Sequence, residues 1–158
     1  MTKFKDVAHL YVGCEAYNKL YGHYLKFNEF ELYRYTYDNR IHQLKPILRP
    51  LSSMVIEEGA WCLKEIYFDH VTYPISDFKL EVVGDVKKHP RISINNDWFQ
   101  NNLTFGNSNG SIWAVDTNSA LVKIKPTLFA YLLKKHFDLF GLIDSGEAID
   151  STTVNPTT

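Results

Sequence analysis

The alternation of apolar and polar residues in the first third of the chain predicts short antiparallel β-strands. Residues 30–37 alternate with a period of two, which would put their three tyrosines on one face of a strand. Residues 38–39 favour a turn, after which residues 41–44 can return as a partner strand. Gly13 and Gly22 separate earlier strands. We therefore expect three to five strands in a small sheet that could curl into a barrel.

The pattern changes at two prolines, Pro46 and Pro50. Because proline disfavours a helix at its own position and just before it, this segment should be extended and end the sheet. Ser53 can then cap a helix, with the acidic residues 57–58 near its positive end. The apolar residues of one helical face are Ile56, Ala60, Leu63 and Tyr67. This middle helix is our candidate cover for the N-terminal sheet.

The second half of the chain returns to strand-like patterns before a last helix. Alternation predicts a strand over residues 78–83, and residues 91–95 and 121–124 can add two more. Residues 103–115 predict a hairpin, because the Asn-Gly pair in its middle favours the positive φ angles of a tight turn. Pro126 suits the first position of a helix. The apolar stripe of that helix would be Leu128, Phe129, Leu132 and Leu133.

The segment 127–150 is apolar enough to belong to a core, although it lies close to the end of the chain. We therefore expect the C-terminal helix to be docked, and residues 151–158 to form a flexible tail. The whole pattern predicts an α+β fold, with residues 1–150 as a single domain of ordinary size. Its parts are an N-terminal sheet, a middle helix, further strands with a hairpin, and the docked helix.

Composition excludes some classes of function. Seventeen Lys and Arg residues oppose 18 Asp and Glu residues, so no overall charge attracts nucleic acid or an anionic membrane. No apolar run approaches 18 residues, and the first residues lack the apolar core of a signal peptide. Cys14 and Cys62 are too few for a disulfide framework, so we interpret them as reduced thiols. These features predict a cytoplasmic protein.

The sequence contains no recognisable catalytic or metal-binding motif. Asp69 and His70 are adjacent, but neighbouring residues seldom point their side chains at one another. The six histidines never fall four residues apart, so no pair of helical metal ligands exists. We therefore predict no metal and no cofactor. We do not favour the hypothesis of an enzyme, although a hydrolase whose catalytic residues are scattered along the sequence is an alternative.

The tyrosines of residues 30–37 and the basic residues after them suggest one candidate binding site. Aromatic rings beside cations are typical of proteins that bind single-stranded nucleic acid. Nearby carboxylates dilute the positive charge, however, and the same tyrosines could instead pack in the core or contact a protein partner. The candidate binding residues are Tyr33, Tyr35, Tyr37, Arg40, Lys45 and Arg49.

Residues 5–15, 44–54 and 131–150 together resemble a family of small proteins encoded by phages and prophages of gut-type bacteria. The segments cover just over a quarter of the chain, and their order and spacing carry the resemblance. The family has no assigned activity, so the resemblance implies a mobile-element setting and supplies no functional residue. We expect a non-enzymatic protein that binds an unknown protein partner; the alternative is single-stranded nucleic acid binding through the tyrosines.

Overall fold

The computed structural model of this protein describes residues 1–67, 73–95, 100–108 and 110–154. They form an α+β fold, which confirms the predicted fold class. The α-helices are α1 (Phe4–Val7), α2 (Glu29–Tyr37), α3 (Ile56–Tyr67) and α4 (Pro126–Lys134). The strands are β1 (Glu15–Asn18), β2 (His23–Lys26), β3 (Leu44–Leu48), β4 (Phe78–Val83), β5 (His89–Asn95), β6 (Gln100–Ser108), β7 (Ser111–Val115), β8 (Leu121–Val122) and β9 (Ile149–Asp150).

The chain divides into two compact units, and each has its own sheet. We call Met1–Pro50, Asn109–Ser111 and Leu132–Thr158 the terminal unit. We call Leu51–Ser108 and Ile112–Tyr131 the central unit. The expectation of a single domain over residues 1–150 stays a prediction, because two compact units can still unfold as one cooperative domain.

The sheet of the terminal unit has the strand order β2-β1-β3-β9. Strand β1 pairs antiparallel with β2 and β3, as the sequence predicts, while β9 pairs parallel with β3. The expected barrel is not formed by the described residues, since neither sheet closes on itself. Strand β9 comes from the C-terminal segment, so the two ends of the chain share one sheet.

Residues 44–48 form a central strand of this sheet, so the prediction that the prolines end it is wrong. Pro46 lies opposite Ala16 of β1, and β9 pairs only with the next two residues, Ile47 and Leu48. No residue of β9 therefore lies opposite Pro46. A longer β9 would lack a hydrogen bond at that position, because proline has no N–H to donate to a neighbouring strand. The expected partner strand at residues 41–44 is also wrong, because Ile41–Gln43 is a 3₁₀ turn and Leu44 begins β3.

Helix α2 replaces the strand that we predicted over residues 30–37. Asn28 caps it, with its side-chain oxygen accepting the N–H of Glu31 at 2.9 Å. The carboxylate of Glu31 in turn pairs with Arg34 at 2.7 Å, three residues on. The cap and the ion pair stabilise a helix whose tyrosine spacing fits a strand equally well. The expected turn follows, with Asn39 in the left-handed region at φ 54°.

The C-terminal segment is docked through the buried side chain of Tyr11. Its hydroxyl donates to the carbonyl of Phe137 and accepts the N–H of Leu139, both at 3.1 Å. The ring of Phe140 contacts the ring of Tyr11 edge-on, with 6.1 Å between centroids. Burial raises the pKa of the Tyr11 hydroxyl, so it stays neutral and can both donate and accept. Tyr11 therefore contributes two hydrogen bonds and a ring contact to the predicted docking.

A buried carboxylate shapes the loop that follows. The Oδ1 atom of Asp138 accepts the N–H groups of Phe140 and Leu142, and its Oδ2 atom accepts that of Ile143. Burial raises the pKa of Asp138, although these three backbone donors counteract the rise. Glu147, further along the chain, instead contacts the N-terminal segment, since its carboxylate accepts the N–H of Phe4 at 3.2 Å.

In the central unit, helix α3 covers strands β4 and β5 of an antiparallel sheet with the order β4-β5-β6-β7-β8. We had assigned this helix to the N-terminal sheet, and that prediction is wrong. Gly59 explains the packing, because a Cβ atom there would lie 3.1 Å from the Ile92 side chain of β5. Ser53, the predicted cap, lies in a 3₁₀ turn, and α3 begins three residues later at Ile56.

Several central elements confirm the sequence predictions. Strand β4 has the predicted bounds, and β5 starts two residues earlier than expected. Strands β6 and β7 are neighbours on either side of Gly110, whose φ of 75° fits the predicted turn; Asn109 lies outside the described residues. Helix α4 begins at Pro126, and Leu128 and Leu132 are fully buried.

The first residue of the expected C-terminal tail, Ser151, donates its N–H to the carbonyl of Leu48 at 2.8 Å. Residues 155–158 of that tail lie outside the described part of the chain.

Truncation after Pro126 should unfold the protein. The fragment would lack strand β9 and the buried residues Phe137, Leu139 and Leu142, leaving Tyr11 and the edge of β3 without their partners. We expect no cooperative thermal transition in circular dichroism. Truncation after Val154 is the control, because it keeps every contact described here and should melt like the intact chain. A soluble 1–126 fragment with cooperative unfolding would contradict the prediction.

Replacing Tyr11 by Phe should lower the free energy of unfolding by roughly 1–3 kcal/mol, because the N–H of Leu139 would be left buried without its acceptor. Denaturant titration measures this difference. The matched control is Tyr33→Phe, since that side chain is 68% exposed and its loss of a hydroxyl should change stability by less than about 0.5 kcal/mol. Equal stability of the two variants would show that the Tyr11 hydroxyl does not hold the C-terminal segment.

Candidate binding surface on helix α2

Helix α2 exposes three aromatic side chains on one face, which we call the aromatic face: Phe30, Tyr33 and Tyr37. They follow the helical spacing i, i+3, i+7 and are 67%, 68% and 78% exposed. The rings of Tyr33 and Tyr37 stack with their centroids 5.9 Å apart and their planes at 21°. Contiguous exposed aromatic surface of this kind marks interaction sites more often than scattered apolar residues do.

A groove of about 550 Å³ lies beside the aromatic face, and we call it the apolar groove. Its apolar wall comes from Ala8 of the N-terminal 3₁₀ turn and from Leu32 of α2. Tyr33 and Tyr37 form its border with the aromatic face, and Lys5, His9 and Glu29 supply its charged and polar rim. Its volume falls within the range of clefts that hold a ligand or a partner's side chains.

Tyr35 lies on the opposite side of the helix from Tyr33 and Tyr37. It is only 5% exposed, and its hydroxyl accepts a hydrogen bond from the side-chain amide of Asn18 at 2.6 Å. Because 3.6 residues make one turn, residues two apart in a helix face nearly opposite directions. The structure therefore separates the three predicted tyrosines into an exposed pair and a core residue.

The basic candidates are not gathered beside the exposed tyrosines either. Arg40 pairs with Asp38 directly after α2. Lys45 lies in β3 opposite Tyr17 of β1. The guanidinium of Arg49 lies 4.2 Å from the ring centroid of Phe137, against the docked C-terminal segment. The six predicted residues thus do not share one face: Tyr33 and Tyr37 stack on α2, while Lys45 and Arg49 belong to β3 and the residue after it.

A second cavity of about 350 Å³ lies at the end of α2, and we call it the arginine pocket. Its lining residues are Tyr21, His23, Arg34, Tyr35, Asp38 and Arg40. Asn18, which is fully buried, holds the adjoining turn by accepting the N–H groups of Leu20 at 2.9 Å and Tyr21 at 3.1 Å. Sequence reasoning missed Asn18 and His23, because neither belongs to a recognisable motif and only the pairing of β1 with β2 brings them near α2.

The described residues show neither a cluster of metal ligands nor an activated thiol. No three His, Cys, Asp or Glu side chains in ranges 1–67, 73–95, 100–108 and 110–154 are grouped so that they could hold a metal ion. Cys14 and Cys62 are free and buried, as predicted, and burial raises the pKa of Cys14 to about 12, far from a reactive thiolate. The adjacent Asp69 and His70 lie outside the described residues.

Comparisons with known proteins found no family model, no curated protein and no solved structure that matches this chain. Within the described part of the chain, no helix has both the length and the apolar character needed to cross a membrane.

The separation of the tyrosines has a direct consequence for stability. Tyr35→Phe should lower the free energy of unfolding by roughly 1–2 kcal/mol, because the amide of buried Asn18 would lose its acceptor. Tyr37→Ala should cost less than about 1 kcal/mol, since it removes one exposed ring and one stacking contact within a helix. Chemical denaturation of both variants checks the order. A larger loss at Tyr37 than at Tyr35 would mean that the aromatic face packs against something in the protein itself.

Proposed function

We propose that this protein is a non-catalytic interaction protein of a phage or prophage, and that a partner polypeptide binds the aromatic face and the apolar groove. The observation that carries the proposal is the exposure of Phe30, Tyr33 and Tyr37 on one helical face beside a preformed groove. Tyrosine is among the residues that dominate binding energy at protein interfaces. Apolar side chains of the partner would enter the groove next to Leu32.

The rigidity of the face supports this proposal. Helix α2 is capped by Asn28, closed by the left-handed Asn39, and anchored in the core by Tyr35. A surface that is already ordered loses little conformational entropy on binding, so more of the contact energy appears as affinity. The phage or prophage setting depends on the resemblance of three sequence segments alone. The two free, buried thiols support a cytoplasmic location.

The charges near α2 favour a protein partner over single-stranded nucleic acid. Arg34 pairs with Glu31, and Arg40 pairs with Asp38, so the cations closest to the tyrosines already have carboxylate partners. Glu29 adds negative charge to the rim of the apolar groove. Nucleic acid binders instead combine stacking rings with a groove of unopposed positive charge. The hydrolase alternative gains no support from the groupings of described side chains.

The test is affinity capture from the native host with the wild-type protein and with a Tyr33→Ala/Tyr37→Ala variant. We expect the wild type to retain a host or phage polypeptide that the variant loses. The affinity of the variant for that polypeptide should be at least about 30-fold weaker than that of the wild type, as for interface hot spots. The matched control is Leu121→Ala in the central unit, which removes another exposed apolar side chain and should retain the partner.

Two outcomes would overturn the proposal. One is equal capture by the wild type and the double tyrosine variant, which would place the interface elsewhere. The other is binding of a single-stranded oligonucleotide that weakens steeply as salt increases and is lost in the double variant. That result would indicate that the aromatic face binds single-stranded nucleic acid instead of a polypeptide.

A further inference from the structure

We propose that the arginine pocket is a binding site for a small organic oxyanion, a carboxylate or a phosphate monoester carried on a planar ring. The site is independent of the partner surface proposed above, because it uses Arg34, Arg40 and Tyr35 and none of the three residues of the aromatic face. Hydrogen-bond donors of Arg34, Arg40 and Tyr35 belong to the lining of this one cavity, whose size suits a small ligand.

The first observation is the unused donor capacity of the two arginines. Arg34 engages Glu31 and Arg40 engages Asp38 through the Nη2 atom in each case. Among the described residues, the Nη1 and Nε groups of both side chains have no hydrogen-bond partner. A guanidinium carries five N–H donors in a fixed fork that matches carboxylate and phosphate oxygens. Each arginine can therefore keep its ion pair and still bind an anion.

Directed donors, rather than a net charge, favour an anionic ligand. Arg34 and Arg40 line the cavity with Asp38, and Glu31 pairs with Arg34 beside it, so these four groups carry no net charge. The side chains of Arg34 and Arg40 are 48% and 42% exposed, so a ligand can reach them without rearrangement of the fold. A single oxyanion can use the remaining N–H donors of both guanidinium groups, whereas a polyanion would need further cations along its length.

The second observation is a fixed hydroxyl donor in the pocket wall. Tyr35 accepts a hydrogen bond from Asn18, and its own hydroxyl hydrogen is bonded to no other described residue. Asn18 is held on its other side by the turn at Leu20 and Tyr21, and Tyr35 as a whole residue is only 5% exposed. A buried donor of this kind is stabilised by an acceptor supplied from outside.

The third observation concerns the rest of the ligand. Tyr21 and His23 form a wall of two rings with centroids 6.1 Å apart and planes at 32°. Rings in this arrangement can pack against a planar group of the ligand. The volume of about 350 Å³ lies at the small end of the range for small-molecule pockets. A ligand with one ring and one charged group therefore fits this volume.

Chemical-shift titration of the full-length, isotope-labelled protein tests the proposal. The probes are benzoate and phenyl phosphate, with benzamide as the uncharged isostere and inorganic phosphate as the anion without a ring. We expect at least one of the two ring anions to shift the backbone signals of Tyr21, His23 and Arg34 with a Kd on the order of 1 mM. Benzamide and inorganic phosphate should bind at least about tenfold more weakly.

Variants connect the binding to the pocket. Arg34→Gln combined with Arg40→Gln should weaken the ring anion at least about tenfold, because the charge-assisted donors are lost. Lys79→Gln, which removes a positive charge from strand β4, and Tyr33→Ala/Tyr37→Ala should leave the affinity unchanged. Binding that survives the double arginine variant overturns the proposal, as does equal binding of benzamide or inorganic phosphate. Because no partner protein is needed, failure here is distinguishable from failure of the proposed function.

Discussion

The docking of the C-terminal segment, through Tyr11 and through the pairing of β9 with β3, joins the two ends of the chain in the terminal unit. One hydroxyl joins residues more than 120 positions apart, satisfying the carbonyl of Phe137 and the N–H of Leu139. Asp138 then gathers three backbone N–H groups and turns the chain toward β9. Such contacts close a long loop, so their entropic cost must be met by the buried residues that dock with them. Leu142 and Ala148 join the same core as Phe4 and Phe27.

This closure gives helix α2 a rigid support. The core residue Tyr35 holds the helix to Asn18 of strand β1, while the aromatic face points away from the protein. The two surfaces that we propose for binding lie on either side of this arrangement. The apolar groove offers contact area for a polypeptide, and the arginine pocket offers directed donors for a small anion. The periodicity of one short helix thus places the two proposed binding surfaces on different faces.

The sequence predicted local elements better than their partners. Strand β4, the hairpin at Gly110 and the start of α4 at Pro126 were predicted because alternation, turn residues and proline act within a few positions. Residues 30–37 were assigned wrongly, since their tyrosines satisfy both periods and the helix depends on Asn28 and on burial of Tyr35. The structure also divides the candidate residues: Tyr33 and Tyr37 stack on the aromatic face, Tyr35 and Arg40 line the arginine pocket, and Arg49 lies against the docked segment. Their role in binding stays a prediction.

The sequence by itself determined the α+β class, most of the central strands, the last helix and the free, buried state of both thiols. These follow from short-range patterns and from composition. Only the tertiary structure decided that Pro46 lies inside a sheet, that α3 covers β4 and β5, and that Asn18, His23, Arg34 and Arg40 meet around one pocket. The reason is that such contacts join residues far apart in the chain. The spacing of residues within one segment indicates its local structure but does not indicate which distant segment it will contact.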